Sequence, residues 1–125
     1  MTFFFDNTFP RRLVEILKLL DVEATHLREH FPADTIDVTW IPWVGKKGWI
    51  IVTGDRGIAK KPAERKALEE AQTISLFLAK GIIHKPLFEL VAFIVRHWPT
   101  IEKAVERAKT GTSLELTVNG RVEIL

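Results

Sequence analysis

Asp6 and Asp55 each stand where an apolar run gives out: Asp6 follows Thr2-Phe3-Phe4-Phe5, and Asp55 follows Trp49-Ile50-Ile51-Val52-Thr53-Gly54. Carboxylates brought close together repel, and each has its pKa raised unless a cation sits between them. A hard divalent ion such as Mg²⁺ or Mn²⁺ relieves that repulsion through oxygen ligands and keeps waters for chemistry. A third acid would complete such a site, and Asp37 is the choice, with Asp34 the near competitor. Each acid also has an ordinary reading. Asp34 or Asp37 could cap a helix. Asp6 could make an Asx turn with Asn7, and Asp55 could open the Gly54-Asp55-Arg56-Gly57 turn. Spacing by itself defines an acidic cleft of an α/β domain and goes no further.

Basic residues crowd the second acid. Lys46, Lys47, Arg56, Lys60, Lys61, Arg65 and Lys66 fall in one segment, opposed there only by Asp55 and Glu64. The formal net charge of +2 is too mild to demand a polyanionic partner, and a solvated helix face accounts for such a segment, although a local basic surface can still steer a polyanion. Other chemistries are disfavoured. His26, His30, His84 and His97 show no metal-ligand spacing and read as structural or surface residues. The absence of cysteine excludes disulfides and thiolate metal sites and suits a reducing cytoplasm. Neither a GxSxG elbow nor a GxxxxGK[ST] loop occurs, against a serine hydrolase or a P-loop enzyme. Trp40, Trp43 and Trp49 lie in apolar surroundings that favour core packing over base stacking.

The elements that must carry these residues follow from periodicity. Thr2 to Phe5 is a short strand, and Leu13, Ile16, Leu17 and Leu20 recur at helical spacing after Pro10. Residues 22–27 alternate as a second strand. A short helix then ends near Gly45, kept brief by Pro42. Trp49 to Thr53 does not alternate and so is buried on both faces. A helix from Lys61-Pro62 to about Ala71, a strand over 73–79 and a long helix from Pro86 to Ala108, bent at Trp98-Pro99, come next. Asn119-Gly120 between alternating runs signals a terminal hairpin.

This order predicts a three-layer α/β/α sandwich with a mainly parallel central sheet and a C-terminal hairpin. It is read as one domain over 1–125, with the motifs in 1–78 and a helix and hairpin in 79–125. Right-handed crossovers bring the strand exits to one edge. If the first and third strands are neighbours, Asp6 and Asp55 share the crevice where strand order reverses, the usual ligand site of open α/β sheets. "MTFFFDN" is too short and too soon interrupted to be a signal peptide. Arg96 and His97 break the longest apolar stretch of the second half, so a soluble cytoplasmic domain without membrane contact is expected.

"FFFDNTFP", "DVTWIPWVGKKGWIIVTGDRGI" and "KKPAERKALEEA", in that order, resemble the PIN-like domains, and within them the toxin-like branch similar to the VapC toxins. In that branch one strand ends in Asp-Asn or Asp-Glu-Asn, a later strand ends in Thr-x-Asp-Arg/Lys, and a proline-glutamate-arginine helix follows. The resemblance covers roughly the first two-thirds of the chain. After Leu78 only the pattern of elements matches. It implies an endoribonuclease in which Asp6, Asp37 and Asp55 are the catalytic, metal-binding acids. Mg²⁺ or Mn²⁺ would activate a water for in-line attack on an RNA phosphodiester. Arg56, Lys60, Lys61 and Arg65 would hold the phosphate backbone, with Asn7 and Thr53 as further substrate contacts. A cognate antitoxin protein that blocks the cleft, and a homodimer, are the partners implied. Many PIN nucleases carry four acids. Glu64 is the nearest candidate for the fourth, although the helix dipole alone explains an acid in that first turn. Two other readings stand beside this one. The first is a catalytically silent module that binds RNA or protein. The second is a receiver-like phosphoacceptor domain, which Asp6, Asp55 and Lys85-Pro86 would fit.

Overall fold

A computed structural model describes residues 1–125. Phe3–Phe5 forms β1, and its alternating side chains point to opposite faces of the sheet. Arg11–Leu19 (α1) leads to β2, Ala24–His26, and Asp37–Lys47 (α2) leads to β3, Ile50–Thr53. Pro62–Ala71 (α3) and β4, Ser75–Leu78, follow. A short helix, Lys80–Ile83 (α4), and the long Leu87–Arg107 (α5) precede β5, Ser113–Leu116, and β6, Val122–Ile124. The sheet order is β2-β1-β3-β4-β5-β6. β1 to β5 are mutually parallel and β6 runs antiparallel to β5. β1 pairs with both β2 and β3, Phe5 standing opposite His26 on one side and Val52 on the other. Strand order therefore reverses beside β1, as anticipated for neighbouring first and third strands.

Two cores sandwich the sheet. Phe3, Phe5, Val52, Leu76 and Leu78 pack on one face with Leu13, Val14 and Leu17 of α1 and Leu90, Ile94, Trp98 and Ile101 of α5. Phe4 and Ile51 pack on the other face with Trp40, Ile41 and Val44 of α2, and α3 adds Ala67, Leu68 and Ala71 at its margin. Burying this apolar area, at about 25 cal/mol per Å², is what holds the strand exits in register. All four residues of β3 are buried, in keeping with its lack of alternation. Trp40 lies in the core, while Trp43 and Trp49 are half-buried at its edge.

Several local expectations are corrected. Pro42 does not keep α2 brief, because the helix runs eleven residues through it. Pro42 is exposed, so its missing N–H lies on the wet side of the helix. Pro99 is exposed in the same way within an unbroken α5. Ile16 and Leu20 do not complete the buried face of α1, and they line an apolar groove of about 450 Å³ with Leu87, Phe88 and Val91 of α5. In the hairpin Gly120 takes φ +79°, and a side chain there would run into the His97 ring. No helix is long and apolar enough to cross a membrane.

Candidate functional site

Asp6 leaves β1 into a crevice and is only 4% exposed. Its Oδ1 accepts hydrogen bonds from the Thr8 amide at 3.0 Å and the Thr8 hydroxyl at 2.5 Å. Its Oδ2 accepts one from the Thr53 hydroxyl. Burial pushes this carboxyl up to about 6, against the hydrogen bonds from Thr53 and Thr8, and the Asp37 charge adds to the rise. The Thr53 hydroxyl also accepts from the Asp55 amide at 3.0 Å. Thr8 accepts in turn from the Gly54 amide at 2.8 Å. Two threonines thus lash the exits of β1 and β3 together.

Asp55 caps a 3₁₀ turn, Arg56–Ala59, by accepting from the Gly57 amide at 2.8 Å. A Cβ at Gly57 would sit 2.8 Å from the Asp55 carboxylate oxygen, so only glycine permits this close approach. Asp37 is the first residue of α2, where an acid favours the helix dipole. Its Oδ1 accepts from Trp40 Nε1 at 3.0 Å. Burial raises the Asp37 carboxyl, the Trp40 hydrogen bond opposes it, and the charges of Asp55 and Glu64 raise it further.

Asp6, Asn7, Thr8, Asp37, Trp40 and Asp55 line one cavity of about 200 Å³. Asp34 is exposed in a turn and does not line it, so of the two candidate third acids Asp37 is the one at the cavity. Asn7 donates to the Ala33 carbonyl at 2.5 Å. Glu64 approaches from α3, and its Oε2 is buried without a hydrogen-bond partner. The carboxylates have not converged into a ready-made group of three ligands. The donor set nonetheless fits a hard divalent cation, since all four acids offer carboxylate oxygen. An orphaned buried carboxylate oxygen, and the rise that neighbouring carboxylates add at Asp6 and Asp37, are what such an ion would relieve.

The basic residues divide. Lys60 and Lys61 are exposed, and the Lys61 charge acts on Asp37, which puts it beside the acids. Arg65 is exposed and lies 4.0 Å from Glu69 on its own helix. Arg56 does not face outward toward a phosphate. Its guanidinium pairs with Glu115 of β5 and lies 5.7 Å from the centre of the Phe77 ring. Thr53 is likewise no substrate contact, being 0% exposed with its hydroxyl engaged on both sides. Lys85, which a receiver-like site would need beside the acids, lies over the Phe93 ring at 5.4 Å. Thr8 escaped notice in the sequence, although a hydroxyl two residues after an aspartate is the spacing of an Asx-type turn.

An acid-lined crevice thus lies at the strand-order reversal of a parallel α/β sheet, the place where open α/β sheets bind their ligands. The family model of the PIN like domain matches residues 1–80, a span that contains Asp6, Asp37, Asp55 and Glu64 and stops before α5. The chain belongs to the PIN-like domain family, whose members are generally nucleases. No curated protein and no solved structure matches it.

Proposed function

We propose that this domain is a metal-dependent endoribonuclease and acts as the toxin of a type II toxin–antitoxin pair, similar to the VapC toxins. One observation carries the nuclease reading: Asp6, Asp37 and Asp55, delivered by three different elements, line a single cavity at the sheet's switch point. Bound Mg²⁺ or Mn²⁺ supplies a water acidified enough to act as nucleophile at neutral pH and offsets charge on the phosphodiester. The chain's own contribution is orientation. Asp37 and Asp55 each engage Oδ1 locally, with Trp40 and Gly57, and neither Oδ2 has a hydrogen-bond partner. Asp6 is locked by Thr8, which occupies both acceptor sites of Oδ1, and by Thr53, so that Oδ2 is the oxygen that retains a second lone pair. Trp40 and Leu27 form the apolar side of the cavity and limit water around the acids. Lys61, whose charge reaches Asp37, and Lys60 beside it in the chain would meet the anionic backbone.

The toxin role rests on the resemblance to that branch. It brings a cognate antitoxin protein that blocks the acidic cleft, and a homodimer, for which the apolar groove between α1 and α5 is the available surface. The test is cleavage of RNA by the purified protein with Mg²⁺ or Mn²⁺. Asp6→Asn and Asp55→Asn are expected to lower the rate by at least about 100-fold. Cleavage that persists in either variant or in excess EDTA would overturn the reading.

A further inference from the structure

A second cavity, of about 430 Å³, adjoins the acidic one, and Asn7 and Thr8 line both. Its charged lining is Arg11, the first residue of α1, and Arg28, in the 3₁₀ turn Leu27–Glu29 that follows β2. Both therefore project at the same sheet edge as Asp6, on the side of β1 opposite β3. No carboxylate lines this cavity. Neither guanidinium takes part in an ion pair, whereas Arg56 is held by Glu115 and Arg65 lies beside Glu69.

His26 builds the wall between the two arginines. It is buried, one ring nitrogen lies 2.9 Å from the Phe9 carbonyl, and Nδ1 accepts from the Arg28 amide at 3.1 Å. Those contacts tie the segment entering α1 to the segment carrying Arg28. Burial, and then the Arg11 and Arg28 charges, depress the His26 pKa. Because Nδ1 accepts from the Arg28 amide, the ring hydrogen belongs at Nε2, facing the Phe9 carbonyl, and the charged side chains lining the cavity are the two arginines. Two unpaired guanidinium groups on a built wall suit a phosphate, which arginine grips through paired N–H donors.

We propose that the Arg11–Arg28 cavity binds a backbone phosphate of single-stranded RNA, one that flanks the phosphodiester held at the acids. This rests on the nuclease reading and extends it. The strand would run from the acidic cavity past Asn7 and Thr8, which line both, into the basic one.

The test is binding of a short fluorescent single-stranded RNA, followed by anisotropy in EDTA over a range of KCl concentrations. Each phosphate contact on a single strand contributes about 0.7 to the slope of log affinity against log salt. Arg11→Gln and Arg28→Gln are each expected to weaken binding several-fold and to lower the slope by about that amount. Arg28→Gln keeps the backbone bond to His26. Arg12→Gln makes the same change of net charge at a residue that does not line the cavity, and it should leave the slope near that of the unaltered protein. The proposal falls if the slope survives both cavity substitutions, if Arg12→Gln lowers it equally, or if the unaltered protein binds no RNA. Cleavage with Mn²⁺ is scored separately. RNA cut normally by both cavity variants with unchanged slopes sinks this site and spares the nuclease reading. Altered slopes in a protein that never cuts RNA do the reverse.

Discussion

Arg56, at the start of the turn after β3, pairs with Glu115 of β5, reaching across Phe77 of β4 to do so. Asp55 and Arg56 are adjacent in the chain yet serve opposite sides of β3. Asp55 faces the crevice with β1, and Arg56 turns to the strands on the other flank. Glu115 stands directly opposite Glu123 of β6, so the guanidinium also offsets a like-charge cross-strand pair. The family match ends at residue 80, and Glu115 therefore anchors the Asp55 turn from outside the matched segment.

Breaking that pair should cost little but measurably. Both side chains are partly exposed, at 33% and 20%, which limits the coupling to about 1 kcal/mol. A double-mutant cycle with Arg56→Ala and Glu115→Ala, read by denaturant unfolding, is expected to show a coupling of that order. A coupling of zero would mean that the hairpin does not anchor the turn.

Thr53→Val keeps the shape of the side chain and removes the hydroxyl that serves both Asp6 and Asp55. Leaving those buried groups short of a partner should destabilise the fold by about 1–3 kcal/mol. The Asp6 carboxyl, already at about 6, should titrate still higher because its charged form loses a donor. Carboxyl-carbon NMR titration reads this directly. An unmoved Asp6 would refute the role given to Thr53.

The metal-free protein should lose stability from Asp6 as pH rises. Its folded pKa of about 6 lies above the ordinary carboxyl value of 3.8, so the folded state binds more protons between those values. Stability from this group is therefore full below about pH 4 and declines up to about pH 6, by roughly 3 kcal/mol at most. His26 and Glu29 are shifted downward and act in the opposite sense. The informative quantity is thus the difference between Asp6→Asn and the unaltered protein. Asp6→Asn should gain on the unaltered protein from pH 4 to pH 7 in EDTA, and a flat difference would contradict the raised pKa.

Glu64→Gln should weaken Mn²⁺ binding by about 10-fold, in the range seen when groups supporting a metal site are altered. The orphaned Oε2 and the Glu64 charge felt at Asp37 motivate this. Asp34→Asn serves as the matched control, since Asp34 lies away from the cavity. Water-proton relaxation of Mn²⁺ solutions reports the affinity without any need for turnover. Equal affinities in the two variants would remove Glu64 from the site.

The three-layer sandwich and the acids at its strand exits were legible because they are written in short-range patterns. The Phe3–Phe5 and Trp49–Thr53 runs state that strands are buried, and a strand that ends where its apolar run ends must release Asp6 and Asp55 at the edge. Asn119-Gly120 announces a turn for the same local reason, since glycine at positive φ needs no partner elsewhere in the chain. Even the error over α2 was local. The exposed side of a helix tolerates Pro42, and exposure is a property of packing that no run of letters states.

What only the tertiary structure decided is which side chain meets which. Arg56 looked like a phosphate arm until the strand order placed Glu115 within its reach. Thr53 and Thr8 became struts because β1 and β3 are neighbours, and Arg11 and Arg28 share a cavity because α1 and β2 flank the same strand exit. The sequence by itself determined the elements, their order and the acids at their ends, because periodicity and turn chemistry act over a few residues. The pairing of charges was left to the fold, because Coulomb attraction and hydrogen bonding act over a few ångströms, and only the closed sheet brings residues distant in the chain that near.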